Sequence, residues 1–132
     1  MAKYVYPAIF EQEADGGYVV NFPDIDGCFT QGDDINEALL MAEDVLNAML
    51  WTLEDHRKTI PAPMPIKDIS VEDDAFVSYV HADTVAYRNK CNPQPVRRTL
   101  SIPQWLDQMA LDANINFSQV LQDALAEKLH LA

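Results

Sequence analysis

Two periodicities mark this sequence, a period of two in four short segments of its first eighty residues and helical spacing in longer runs between and after them. From Lys3 to Glu13, Tyr4, Tyr6, Ala8 and Phe10 alternate with Val5, Pro7 and Ile9, as along a strand. Asp15-Gly16-Gly17 supplies a hairpin turn that tolerates positive φ, and Tyr18–Phe22 reads as the returning strand. Pro23-Asp24-Ile25-Asp26-Gly27 is a second turn and Cys28–Gln31 a short third strand, completing an antiparallel meander. Asp34 as N-cap with Glu37 three residues on forms a variant capping box. Behind it Ile35, Ala38, Leu39, Ala42, Val45, Leu46, Met49 and Leu53 recur at helical spacing over about five turns. Pro61, Pro63 and Pro65 stop regular structure, and 61–75 reads as a mobile loop where proteases would start. Phe76–Val80 is another strand, and 83–89 has room for one or two helical turns.

Asn92-Pro93-Gln94-Pro95 has the composition of a linker, giving a first domain over 1–90, a linker over 91–95 and a second domain over 96–132. In the second, Val96–Ile102 alternates as a strand and Pro103 opens a helix in the N1 region. That helix is expected to bury Leu106, Met109, Ala110 and Ala113, with Trp105 in a core or interface. After a turn at Asn114-Ile115-Asn116, Asn116 or Ser118 caps a second helix with an apolar face of Phe117, Val120, Leu121, Ala124, Leu125 and Leu129. One strand and two short helices cannot cover their own apolar face, so the pattern calls for a second copy pairing strand against strand. With Leu100 and Ile102 inward, Arg97, Thr99 and Ser101 face outward. A two-stranded ribbon fits the DNA major groove, where Arg meets guanine bidentately and Thr or Ser hydroxyls serve either kind of base. The amides of Asn116, Phe117 and Ser118 open the second helix, where a phosphate is favoured.

Charge changes the picture by its distribution. The net charge of −12 on 132 residues opposes nucleic-acid binding, yet residues 1–90 carry six Lys and Arg against seventeen Asp and Glu, and 91–132 carry three against four. The acid belongs to the first domain, which suits a basic partner. There is no apolar run of the ~18 residues a membrane span needs, nor a signal peptide. Cys28 and Cys91 lack metal-ligand spacing and fit a reduced, cytoplasmic compartment. Two-metal phosphodiester hydrolysis needs carboxylates that hold ions about 4 Å apart. Tyr4–Phe10 contains no Asp or Glu, while Asp24 and Asp26 lie in a turn and Asp33, Asp34 and Glu37 at a helix start. His56 ends a helix, His81 follows a strand and His130 ends the last helix, with no nucleophile motif. Catalysis, a metal and a cofactor are therefore not expected.

Two resemblances sharpen this reading. Residues 96–130 resemble a ribbon-helix-helix DNA-binding domain, which implies base contacts from Arg97, Thr99 and Ser101 and phosphate contacts from Asn116, Phe117 and Ser118. Only Arg97, Arg98 and Lys128 are basic there, so affinity should be moderate and need cooperating dimers. Tyr6-Pro7-Ala8-Ile9-Phe10, the run Gly17–Asp33 with its Phe22-Pro23-Asp24-(x)2-Gly27 element, and Glu37-Ala38-Leu39 resemble the HicB antitoxin family. The resemblance implies an α+β protein with an antiparallel sheet and one long helix in a partial ribonuclease-H-like first domain, followed by a ribbon-helix-helix dimerisation domain. It implies two partners as well, a small basic mRNA-cleaving HicA-like toxin and double-stranded operator DNA, with assembly as a homodimer or tetramer. No single motif position marks the toxin contacts. The competing reading is a ribbon-helix-helix regulator whose first domain senses a ligand or protein, with no toxin.

Overall fold

The first alternating segment becomes β1 (Lys3–Gln12) in a computed structural model that describes residues 3–131. With β2 (Tyr18–Asn21), β3 (Phe29–Gly32) and β4 (Ala75–Asp83) it forms an antiparallel sheet of order β3-β2-β1-β4. Gly16 (φ 93°) and Gly27 (φ 75°) turn the meander in left-handed conformations that glycine adopts without strain. Val20 faces Phe10 on one side and Thr30 on the other, while Phe76, Val80 and Ala82 face Phe10, Tyr6 and Tyr4. Pro7, which has no N–H, is tolerated because the β1–β2 pairing ends at Ile9↔Asn21 and asks nothing of it on that side.

The even-numbered face of β1 is covered by α1 (Ile35–Asp55). Asp34 caps this helix, accepting from the Glu37 N–H at 2.8 Å. Tyr6, Ala8, Phe10, Val20 and Val80 bury themselves against Ala38, Ala42, Leu46 and Leu50. These helix positions are four apart, so the stripe drifts around the helix by about 40° per step and follows the twist of the sheet. Leu50, outside the sequence-predicted face, therefore enters the core, whereas Ile35 and Leu39 stay 39% exposed. Small residues stand where the helix comes nearest: a Cβ on Gly32 would lie 2.4 Å from the Ala38 nitrogen.

Beyond α1 the chain is pinned where mobility was expected. Tyr6 Oη donates to the Pro61 carbonyl, the Asp24 carboxylate accepts from Met64 N–H at 3.1 and 3.2 Å, and Gln12 N–H donates to Asp74 O at 3.2 Å. Asp24 is thus a tether for this segment, more than a solvated turn residue. β4 runs further than the predicted strand, so His81 lies within it. α2 (Thr84–Cys91) follows at once, capped by Asp83, which accepts from Ala86 N–H at 3.1 Å.

One charged side chain joins these elements. Glu54, near the end of α1, accepts from Tyr4 Oη at 2.7 Å, Thr84 Oγ1 at 3.0 Å and Arg88 Nη2 at 3.0 Å. Arg88 also pairs with Asp55 at 2.9 Å and lies 5.1 Å from the centre of the Trp51 ring, which meets Tyr87 edge-on. Burial pushes the Glu54 carboxyl up, but the hydrogen bonds from Tyr4, Arg88 and Thr84 outweigh it, leaving it below the ordinary glutamate value. Burial and the same bond push the Tyr4 phenol up to about 12.

The chain divides into two compact units between Pro93 and Gln94. The second contains α3 (Gln104–Asp112) and α4 (Phe117–Lys128), and residues 96–102 join no ladder among the described residues.

Gly32→Ala should cost about 3 kcal/mol, because the added methyl meets backbone and not a yielding side chain; urea unfolding measures it. Glu54→Gln should destabilise the first unit above the ordinary glutamate pKa of about 4.3. A carboxyl depressed on folding contributes stability above its unfolded value and loses it as pH falls through the folded value, so the two proteins should converge in acid. Unfolding midpoints from pH 7 down to 3 would show the convergence.

Candidate nucleic-acid interface

Arg97, Thr99 and Ser101 lie exposed in the extended approach to α3. Among the described residues neither Arg97 nor Arg98 pairs with a carboxylate, which leaves both guanidinium groups available. The expected strand is absent from the single chain for a simple reason: a strand is defined by its ladder, and here no second strand lies alongside. Pro103 stands just outside α3 as its N-cap, not at N1, and its carbonyl accepts from Leu106 and Asp107 N–H at 3.1 and 3.0 Å.

Between the helices the chain turns at Asn114, whose φ of 56° is a left-handed helix ending that Asn tolerates well. The Ile115 N–H then reaches back to Ala110 O at 3.0 Å. Asn116 begins the next helix as N-cap, its Oδ1 accepting from Gln119 N–H at 3.0 Å. The side chain of Asn116 is therefore spent on the helix itself. The N–H groups of Asn116, Phe117 and Ser118 have no acceptor among the described residues. The positive end of the α4 dipole adds to them. These are donors of the kind a phosphate oxygen uses.

The apolar faces expected of both helices are not buried. No residue of α3 or α4 is buried, and Trp105 (65%), Met109 (63%), Val120 and Leu125 (52% each) stand well exposed. Leu100 and Ile102, expected inward, are 56% and 50% exposed. Sequence periodicity marks apolar positions along a helix; it does not say what covers them.

The first unit shows no group of His, Cys, Asp and Glu side chains that could hold a metal ion among the described residues. Cys28 is buried, which pushes its thiol up to about 11, and Cys91 is exposed; both are free. Among the described residues no helix is long and apolar enough to cross a membrane. The Glu54 cluster escaped sequence reading, since nothing in the spacing of Tyr4, Glu54, Thr84 and Arg88 shows that they converge.

Comparison with known proteins places the chain in a family. The family described as HicB_like antitoxin of bacterial toxin-antitoxin system matches residues 6–125. Antitoxin HicB 1 of Photorhabdus laumondii is 48% identical over 62 residues, which are 46% of this chain and 39% of that protein. The chain thus spans less than half the length of that relative. Among solved structures, a toxin–antitoxin complex from Streptococcus pneumoniae superposes with a TM-score of 0.62 at 31% identity, covering 96% of this chain and 99% of that one. The crystal structure of an antitoxin HicB3 gives 0.51 at 25% identity over 95% and 97% of the two chains. Nearly the whole chain being matched, it belongs to the HicB-like antitoxins of bacterial toxin–antitoxin systems.

Proposed function

We propose that this chain neutralises a small basic, mRNA-cleaving HicA-like toxin through residues 1–90 and represses its own operon by binding operator DNA through residues 96–132. The observation that carries the DNA-binding half is the unburied stripe of Leu100, Ile102, Leu106, Met109, Val120, Leu121 and Leu125. A stripe of this size calls for a cover. In a ribbon-helix-helix dimer the segments 96–102 of two copies pair as antiparallel strands, and the helices close a shared core beneath them. That arrangement turns Arg97, Thr99 and Ser101 of both copies to one face, for base edges in the major groove. The free amides of Asn116, Phe117 and Ser118 then clamp the flanking phosphates, with the partner strand's ladder holding the register.

The toxin-binding half is supported by the acidic balance of the first unit and by its likeness to a chain of a solved toxin–antitoxin complex. Its meander followed by one long helix is the start of a partial ribonuclease-H-like arrangement. The bare N-terminal strand, free of Asp and Glu from Tyr4 to Phe10, supports a binding role over a catalytic one. We place the protein in the cytoplasm, where toxin mRNA substrates and operator are found.

Co-expression decides the first half. Inducing a small basic HicA-like toxin should arrest growth, and adding this chain should relieve the arrest; arrest without relief would refute the toxin reading. For the second half, Arg97→Ala with Thr99→Ala should abolish operator retention in a gel shift while leaving relief of toxicity intact. Loss of both activities with an intact fold would refute the division of labour. Leu121→Asp should split the dimer, seen as a halved mass by light scattering, and weaken operator binding by more than about a hundredfold.

A further inference from the structure

The unit that would meet the toxin leaves one long strand edge bare. β4 pairs with β1 alone and forms an outer edge of the sheet. Which of its backbone groups point outward follows from the bonds at its two ends. Asp83 N–H donates to Asn47 Oδ1 at 3.0 Å and Ala75 N–H to Glu72 O at 3.0 Å, so neither faces β1. In an antiparallel pair the direction alternates, which turns the N–H and C=O of Val77, Tyr79 and His81 away from β1 as well. Among the described residues those three N–H groups have no acceptor, and the Tyr79 carbonyl has only the Ser78 hydroxyl at 3.3 Å.

Bare edges of this length are normally blunted by proline, lysine, an inward charge or a bulge. The segment Ala75–Asp83 contains no proline and no lysine, and its register with β1 runs unbroken from Ala75 to Asp83. The opposite edge, β3, is protected by being only four residues long. Beside the bare edge, Val5 (45% exposed) and Tyr79 (56%) form an apolar stripe on the face away from α1. At its far end His81 and Asp83 border a groove with Glu43, Asp44, Tyr87 and Lys90, where three carboxylates outnumber the one lysine.

We propose that the β4 edge is the toxin-docking surface of this antitoxin, taking an extended segment of the basic partner as a fifth strand. The inference rests on the toxin-binding reading above and names the surface that reading leaves open. Charge selects the occupant. A second copy added edge to edge would set two strongly acidic units side by side, with Glu43, Asp44 and Asp83 of each near the seam. A basic segment instead brings Lys or Arg into the groove while its apolar side chains lie along Val77 and Tyr79. Main-chain hydrogen bonds supply affinity and the groove supplies choice.

Tyr79→Pro tests this without breaking the sheet, since it removes an N–H that points away from β1. Binding of the purified product of a basic HicA-like toxin gene should weaken at least about tenfold by calorimetry, with the thermal midpoint of the first unit held. Glu43→Lys with Asp44→Lys should weaken it too, chiefly by slowing association, and flatten its salt dependence. Wild-type affinity in both variants would overturn the docking surface and leave the antitoxin reading standing. If Tyr79→Pro lowers the thermal midpoint, the charge-reversal pair decides alone, and unchanged binding there overturns the proposal. A smaller assembly mass of Tyr79→Pro without any partner would assign the edge to a second copy and overturn it likewise. Failure of the wild-type chain to bind that product would remove the antitoxin reading and this surface with it.

Discussion

The close seating of α1 on the sheet is the constraint from which the first unit follows. Gly32 has no room for a side chain beneath Ala38, and Ala42 continues the small surface before Leu46 and Leu50 widen the contact. Interiors pack at nearly crystalline density, so this sequence of small and then large side chains sets the tilt of the helix as well as its distance. The tilt in turn carries Glu54 to the start of β1, where Tyr4, Thr84 and Arg88 converge on its carboxylate. A partly buried charge holding three donors is expensive to separate from them, which ties α2 and the β1–β4 pairing to the same helix.

The second unit is governed by the opposite condition. α4 carries a side-chain cap in Asn116, yet no residue of α3 or α4 is buried. Local chemistry, within each turn of chain, is what makes these two helices. The first unit carries the acid, and that balance suits a basic partner.

Much of this was legible beforehand because it depends on neighbours in sequence. The meander with its glycine turns, the Asp34 cap and α1, the capping role of Asn116 and the helices α3 and α4 are local, and local propensity and periodicity report them faithfully. The core position of Leu50 was not legible, because it depends on how the helix stripe drifts over a twisted sheet. Nor was the role of Asp24, forty residues from the Met64 amide that it holds. The length of β4 was underestimated at both ends, since its pairing with β1 overrides the weak strand preference of His81 and Asp83.

By itself, then, the sequence determined the meander, the order of the helices and the charge division between the two halves. Each of these is settled by interactions within a turn or two of chain, or by composition. Only the tertiary structure decided which helix positions are core, that Glu54 is a hub, and that β4 ends the sheet with the N–H groups of Val77, Tyr79 and His81 lacking an acceptor among the described residues. These depend on contacts between residues far apart in the chain, whose pairing is chosen by packing and by the register of strands, and neither leaves a local signature.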